Sequence, residues 1–272
     1  MQKNQNLCSP IGGGGGLTIA ILGLGEAGSH FANDLVKLGV KVVGYDPNPI
    51  RKLDASIEVK ATNIEAVDGA DIIFSVNLSS VSIQIAEELA SVLTPNQFFC
   101  EMNTSGPEKK TKIAEILKPS GVKVIDLAIM APVPPKGIMT PLWASGEYAV
   151  QFLEKIMPLN LDLKILENSQ IGDAATRKLL RSIVYKGIAA VVCEAMEAGE
   201  ALGMEGYMRS QIASLIGGND ELIDRFVEGS RTHAVRRMQE MEAVIEMLEA
   251  KDIEPIVTRG TRNNLEKLSK LK

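Results

Sequence analysis

LTIAILGLGEAG (17–28) decides how the rest of the chain is read. Its first six residues form a short apolar run suited to a buried strand, and 26–38 carries helical periodicity. Between them, Gly23-Leu24-Gly25-Glu26-Ala27-Gly28 spaces three glycines as GxGxxG. The first permits a tight turn, the second lets backbone N–H groups approach a pyrophosphate, and the third lets helix and strand pack closely. The helix N-terminus adds a partial positive charge. The next strand, KVVGYD (41–46), ends on Asp46, 18 residues beyond Gly28. A carboxylate there accepts hydrogen bonds from an adenosine ribose and repels a 2′-phosphate. The stretch therefore predicts a bound dinucleotide, NAD in preference to NADP, with Arg51 close enough to admit NADP. A glycine turn that binds nothing, with Asp46 merely opening the Asp-Pro-Asn-Pro turn, is the weaker alternative.

Outward from this unit the pattern repeats. Extended segments are expected at 57–60, 71–76, 97–102 and 122–130, around Trp143 and at 162–167, with a helix near 147–157. Strands alternating with amphipathic stretches signify βαβ units and a mostly parallel, doubly wound α/β sheet of Rossmann type. After Glu167 the strand signals stop, and helices are expected at 172–203, 207–216, 220–229, 231–250 and 255–271. The expected organisation is a flexible glycine-rich leader (1–16), a dinucleotide-binding domain (17–168) and an all-helical substrate and dimerisation domain (169–272).

Composition narrows the function. Aromatic residues make up 4% of the 272 residues, with one tryptophan, and 29 Lys and Arg stand against 34 Asp and Glu, a net charge of −5. Neither base-stacking platforms nor a phosphate-binding surface is indicated, so no nucleic-acid partner is expected. Cys8, Cys100 and Cys193 form no CxxC pair and His30 and His233 are the only histidines, so no metal site is expected and a reduced, cytoplasmic protein is. No apolar run is long enough to span a membrane. His30, behind the glycine loop, reads as a helix-face residue. Cys193 and the methionines near 238, 241 and 247 read as core packing.

Three further segments resemble the β-hydroxyacid dehydrogenase superfamily, which includes 6-phosphogluconate dehydrogenase. Asn103-Thr104-Ser105-Gly106-Pro107 is similar to its Ser-Thr-x-x-Pro loop beside the nicotinamide. Asp126-Leu127-Ala128-Ile129-Met130-Ala131 occupies the place of its substrate loop, and Gly172 to Lys178 reproduces the spacing of its catalytic lysine. The wording at 128–135, 140–141, 178–182 and 233–241 resembles one branch, the phosphogluconate-dehydrogenase-like proteins with a distinctive C-terminal domain. The resemblance covers about 17–250. It implies an NAD(P)-dependent oxidoreductase that moves a hydride between nicotinamide and a small hydroxy acid or related carbonyl compound. The sequence departs from the family at Met130, Ala131 and Pro132, where a serine and two glycines are usual, and at Ser182, where an asparagine is usual.

The residues support that chemistry independently. Oxidising a secondary alcohol requires a group that takes the hydroxyl proton and steadies the oxyanion. A lysine in a closed cleft meets this need, because desolvation brings its pKa toward neutrality. On a helical projection Lys178, Arg181, Ser182, Tyr185 and Lys186 share one arc, and the following GIAAVVC (187–193) is apolar on every side, which predicts burial all round. The expected roles are cofactor binding by Gly23, Leu24, Gly25, Glu26, Ala27, Gly28 and Asp46, with nicotinamide near Asn77 and Thr104. Proton transfer is expected from Lys178 and support from Ser182. Substrate contacts are expected from Met130, Ala131, Lys186, His233, Arg236 and Arg237.

In 231–250 the charged groups His233, Arg236, Arg237 and Glu240 project on the same side as Met241, Val244, Met247 and Leu248. Buried charges need partners, so this end of the helix predicts either an anion-binding cleft or a structural ion-pair cluster. Leucine- and methionine-rich helical faces predict a homodimer. Two other functions remain compatible with the pattern. One is an imine reductase of the same fold, which the lysine disfavours. The other is a non-catalytic NAD(H)-binding redox sensor, which would need neither Lys178 nor a charged cleft. A 3-hydroxyacyl-CoA type of dehydrogenation is disfavoured because no histidine lies in the later strands.

Overall fold

The computed structural model describes residues 16–49, 51–217 and 220–271, so Cys8 and nearly all of the expected leader lie outside the described residues. Eight strands form one sheet: β1 (Thr18–Leu22), β2 (Lys41–Tyr45), β3 (Glu58–Val59), β4 (Ile72–Ser75), β5 (Phe98–Glu101), β6 (Lys123–Ile129), β7 (Leu142–Ser145) and β8 (Leu163–Ile165). Their order is β3-β2-β1-β4-β5-β6-β7-β8. All neighbours are parallel except β6 and β7, which run antiparallel with Asp126 opposite Ser145. The first six strands follow the doubly wound order, and its reversal between β1 and β4 opens a crevice at the carboxyl ends, where such folds hold ligands.

Both faces of the sheet are covered, as a parallel sheet requires. Helices α1 (Glu26–Lys37), α2 (Asn63–Val67), α3 (Ser82–Leu89), α4 (Pro107–Leu117) and α5 (Ala149–Ile156) belong to this half. Alternation along β1 sorts the cores: Ile19 and Ile21 pack with Phe31 and Leu35 of α1 and Phe152 of α5. Ala20 and Leu22 point to the other face, with Ala66 of α2, Ile85 of α3 and Ile113 of α4.

The second half is helical: α6 (Asp173–Ala201), α7 (Glu205–Leu215), α8 (Asp220–Thr232), α9 (Ala234–Glu249) and α10 (Ile256–Ser269). The 29-residue α6 packs its N-terminal part against the sheet and the rest against the other four helices. Leu179, Met241, Val244, Met247 and Leu265 form the core shared by α6, α9 and α10. No described helix is long and apolar enough to cross a membrane.

Two expectations are corrected here. The segment of α6 beyond Gly187 is not buried all round, since Ile188 and Val191 are exposed. The helices of this chain cover the Ala189–Val192–Met196 side, and the opposite side lines an open groove bordered by Leu215 and Val257. Arg236 does not share the buried side of α9. Its side chain is 61% exposed, whereas that of Glu240, one turn on, is 2% exposed. A long side chain at the edge of a buried stripe carries its guanidinium out to water.

Candidate active site

The glycine loop follows β1 directly. Gly23 adopts φ +100°, and a Cβ there would lie 2.7 Å from the Val76 carbonyl oxygen. A Cβ on Gly28 would lie 1.9 Å from the Gly23 carbonyl oxygen, so both ends of the motif tolerate only hydrogen. Gly25 is different: among the described residues no atom would lie within 4 Å of a Cβ there. Gly25 precedes α1, and no described side chain caps that helix, which leaves its first N–H groups directed into open space. The geometry fits a pyrophosphate lying across Leu24, Glu26 and Ala27.

Asp46 accepts the Leu24 N–H on Oδ2 and the Asn48 N–H on Oδ1, both at 2.8 Å. It therefore opens its own turn and also ties β2 to the glycine loop. An ionised carboxylate has about four acceptor positions, so two remain for ribose hydroxyls. Arg51 pairs with Glu26 at 3.5 Å, which places a cation beside the same pocket.

At the other end of the crevice, the Asn103 side-chain amide donates to Asn77 Oδ1 at 2.9 Å and to Glu101 Oε1 at 2.6 Å. The Asn103 Oδ1 and Ser105 Oγ atoms are buried and have no hydrogen-bond partner among the described residues. Unpartnered buried polar atoms beside Thr104 fit the carboxamide end of a dinucleotide. Lys178 reaches this loop from α6, its Nζ donating to Thr104 Oγ1 at 2.8 Å. Burial lowers the Lys178 pKa to about 8; Glu240 opposes the shift, and the positive charges of Lys186, Lys110 and Arg236 reinforce it. Arg181 donates to the Met130 carbonyl oxygen, which ties the substrate-loop position of Met130 and Ala131 to the helix carrying Lys178.

Ser182 is buried, and its hydroxyl donates to Glu240 Oε1. Lys186 donates to the same oxygen at 2.5 Å and to Ser182 Oγ at 3.0 Å. Arg236 approaches Glu240 at 3.9 Å. Lys178, Ser182, Lys186, Arg236 and Glu240 thus form one group. His233 is half-buried at the start of α9, and burial, together with the charge of Arg236, lowers its pKa while Glu26 opposes the shift. Arg237 turns elsewhere: it is buried, donates to Ser230 Oγ at 2.8 Å and lies over the Tyr185 ring. His30 is half-buried on α1, and Cys193 is buried as expected, its thiol directed to the Phe226 carbonyl oxygen at 3.6 Å.

A second charged cluster was not anticipated. Lys110 of α4 is buried, pairs with the Glu101 carboxylate and with Asp126 at 3.2 Å, and donates to the Glu101 carbonyl oxygen at 2.9 Å. Asp126 Oδ2 accepts from Ser145 Oγ and from the N–H groups of Gly172 and Ala175, at 3.0–3.1 Å. Ser145 Oγ accepts the Ala174 N–H at 3.0 Å. Two strand side chains therefore cap the N-terminus of α6, satisfying N–H groups that the first helical turn cannot satisfy itself. Gly172, at φ +99°, allows the close approach, because a Cβ there would lie 2.8 Å from the Pro107 side chain. A continuous chain of polar contacts runs from the start of α6 through Asp126, Lys110, Glu101 and Asn103 to Asn77. The signal was present in the sequence: Lys110 lies on the Lys110–Ile113–Leu117 stripe that α4 buries.

Comparison with known proteins agrees with this geometry. Residues 18–133 match the NAD binding domain of 6-phosphogluconate dehydrogenase, and residues 200–268 match DUF1932, a domain of unknown function. An uncharacterised 28.5 kDa protein of Methanothermus fervidus is 24% identical over 255 residues, covering 91% of this chain and 97% of that one. The solved structure of the conserved protein MTH1747, described as similar to 3-hydroxyacid dehydrogenases, superimposes with a TM-score of 0.70 at 25% identity, covering 93% of this chain and 96% of that one. A 3-hydroxyisobutyrate dehydrogenase from Salmonella typhimurium shares the fold, with a TM-score of 0.75 at 18% identity over 92% and 93% of the two chains.

Proposed function

We propose that this chain is a member of the β-hydroxyacid and 6-phosphogluconate dehydrogenase-like superfamily of NAD(P)-binding oxidoreductases, in the branch with a DUF1932 C-terminal region, and that its substrate is a small anionic hydroxy acid or the matching carbonyl compound. The observation that carries this reading is Lys178 at 2.8 Å from Thr104 Oγ1, with an amine brought by burial to about 8. When bound, the nicotinamide supplies the hydride acceptor. The neutral Lys178 amine takes the hydroxyl proton of the alcohol, and in the reverse direction the ammonium returns it and steadies the carbonyl oxygen. Lys186 and Arg236 offer positive charge to the substrate's anionic group, and the loop at Met130 and Ala131 forms the facing wall. Asp46 favours NAD, with NADP admitted by Arg51. We take 17–168 as the cofactor domain and 169–272 as the substrate domain.

The reading includes a homodimer. A groove of about 430 Å³ along α6 is lined by carbon, with Ile183, Gly187 and Val191 of α6 joined by Leu215 and Val257. Exposed ridges at Leu215 and Val257 beside such a groove make a patch that two copies can share about a two-fold axis.

The test is a panel of hydroxy acids and polyols with NAD or NADP, followed by the absorbance of reduced nicotinamide. At least one acid should turn over, and Lys178→Ala should lower turnover by ~10²–10⁴ with NADH affinity retained, the range for a general acid–base. Intact NADH binding without turnover of any member would remove the dehydrogenase reading. Near-normal turnover in Lys178→Ala would remove the lysine's role.

A further inference from the structure

Lys178 and Lys186 sit eight residues apart on the same stripe of α6, yet their surroundings differ. Lys178 donates to a hydroxyl, Thr104 Oγ1, at 2.8 Å. Lys186 donates to a carboxylate, Glu240 Oε1, at 2.5 Å. Ser182, one turn from each lysine, gives its proton to that same oxygen and accepts from Lys186 at 3.0 Å. Glu240 Oε2 faces Arg236 at 3.9 Å, and the carboxylate is 2% exposed. One buried anion therefore accepts two donors on one oxygen and a cation on the other.

Holding α6 against α9 does not call for this. The two helices already share Leu179, Ile183, Met241, Val244 and Met247, and an apolar pair at 182 and 240 would extend that core without burying charge. The charge has a consequence for each neighbour. Burial alone would raise the Glu240 pKa, but the ammonium groups of Lys186 and Lys178 outweigh it and hold the carboxyl at about 2. Glu240 therefore stays an anion near neutral pH and exchanges no proton. Burial also lowers Lys186, and Glu240, in direct contact, opposes that shift against the charges of Arg236 and Arg237.

We propose that Glu240 divides the work of the two lysines. It holds Lys186 as a fixed ammonium that, with Arg236, receives a carboxylate or phosphate of the substrate. It leaves Lys178, bonded to a hydroxyl instead, as the amine that exchanges the proton. Glu240 is then a positioning residue, and it gives the DUF1932 region, residues 200–268, a part in the site. The proposal rests on the reading of Lys178 as the acid–base group.

The experiment follows both amines by NMR in the full chain labelled with [¹³Cε]lysine, with and without NADH. Signals are assigned from Lys178→Arg and Lys186→Arg. In the wild type Lys178 should titrate near 8 and Lys186 at higher pH. Glu240→Gln should move the Lys186 titration down by at least ~1 pH unit, and Glu240→Asp, which keeps the charge, should preserve the order. Inorganic phosphate serves as the anion probe. It should shift the Lys186 signal, and its affinity should fall at least ~10-fold in Lys186→Met while NADH affinity holds. The proposal is overturned by a wild-type Lys186 that titrates at or below Lys178, which requires no variant to fold. It is also overturned by a Lys186 unmoved in Glu240→Gln, or by unchanged phosphate binding in Lys186→Met. Turnover with the lysine order reversed removes the division of labour alone. Absent turnover with the order as stated removes the acid–base role and leaves the charge arrangement standing.

Discussion

Replacing Lys110 with methionine keeps the length and the apolar stem of the side chain and deletes only the charge. The ammonium lies between Glu101 and Asp126, with side-chain exposures of 1%, 2% and 0% for the three residues. After the change both carboxylates stay where water cannot reach them, and their shared counter-charge is gone. Removing one member of a buried pair costs ~3–5 kcal/mol, because the remaining charge is left uncompensated. For a chain of this size each kcal/mol moves the melting temperature by about 2–4 °C, so Lys110→Met should melt about 6–20 °C lower near pH 7.

The pH dependence is a second signature of the same cluster. Burial lowers the Lys110 pKa, but Glu101 and Asp126 outweigh it and the value ends above the ordinary one. A group whose folded pKa is raised contributes fully below its unfolded value and loses that contribution as pH climbs through the folded one. In the wild type the lysine's contribution is therefore constant from about pH 5 to pH 9 and declines only above ~10. In the variant, a carboxylate without its counter-charge takes up a proton on folding more readily, so the deficit should narrow between about pH 7 and pH 5. Circular dichroism melts across that range measure both effects. A melting temperature within ~2 °C of wild type near pH 7, or a deficit independent of pH, would refute the argument that this buried cluster clamps α4 and α6 to the sheet.

Asp46→Ala should weaken NAD by ~1–3 kcal/mol, since it removes acceptors for ribose and also frees the Leu24 N–H. Unchanged NAD affinity with no gain in NADP affinity, measured by calorimetry, would take Asp46 out of the cofactor site. The two neighbouring arginines of α9 should part company. Arg237→Ala should lower the melting temperature with KM unchanged, because its guanidinium is bonded to buried Ser230, whereas Arg236→Ala should raise KM with melting unchanged. The reverse pattern would exchange their roles. Val191→Glu, which puts a charge in the open apolar strip of α6, should convert a dimer to a monomer in light scattering. A wild type that is monomeric at micromolar concentration would remove the dimer instead.

The sheet was legible because each strand announces itself locally. Ile19 to Leu22, Ile72 to Phe74 and Phe98 to Cys100 are short apolar runs bounded by polar turns, and each forms a strand. The glycine loop was legible for the same reason, since Gly23 and Gly28 meet backbone only a few residues away or one strand over. Arg236 shows the limit of a helical projection. The projection reports where a Cα–Cβ bond points, and the guanidinium at the end of a long side chain lies several ångströms further out. The apolar run in α6 shows another limit. It reads as apolar on every side, but a sequence does not say whether the cover comes from the same chain, and Ile188 and Val191 are left exposed.

The partners within the charged clusters were hidden for a deeper reason. Periodicity marks which face of an element is buried, and on that count Lys110 and Glu240 both belong inside. A buried charge is acceptable only with its partner, and the partner's distance along the chain carries no local signal. Glu240 meets a serine 58 residues away, and Asp126 meets an N–H 49 residues away. A charged residue on an apolar stripe is therefore a statement that some other element supplies the opposite charge at that spot. Asp126, Lys110 and Glu101 tie the start of α6 to the carboxyl end of β5 and the middle of β6, and Glu240 ties the middle of α6 to α9. Lys178 lies between these two ties, so both clusters fix how the helix presents it to Thr104.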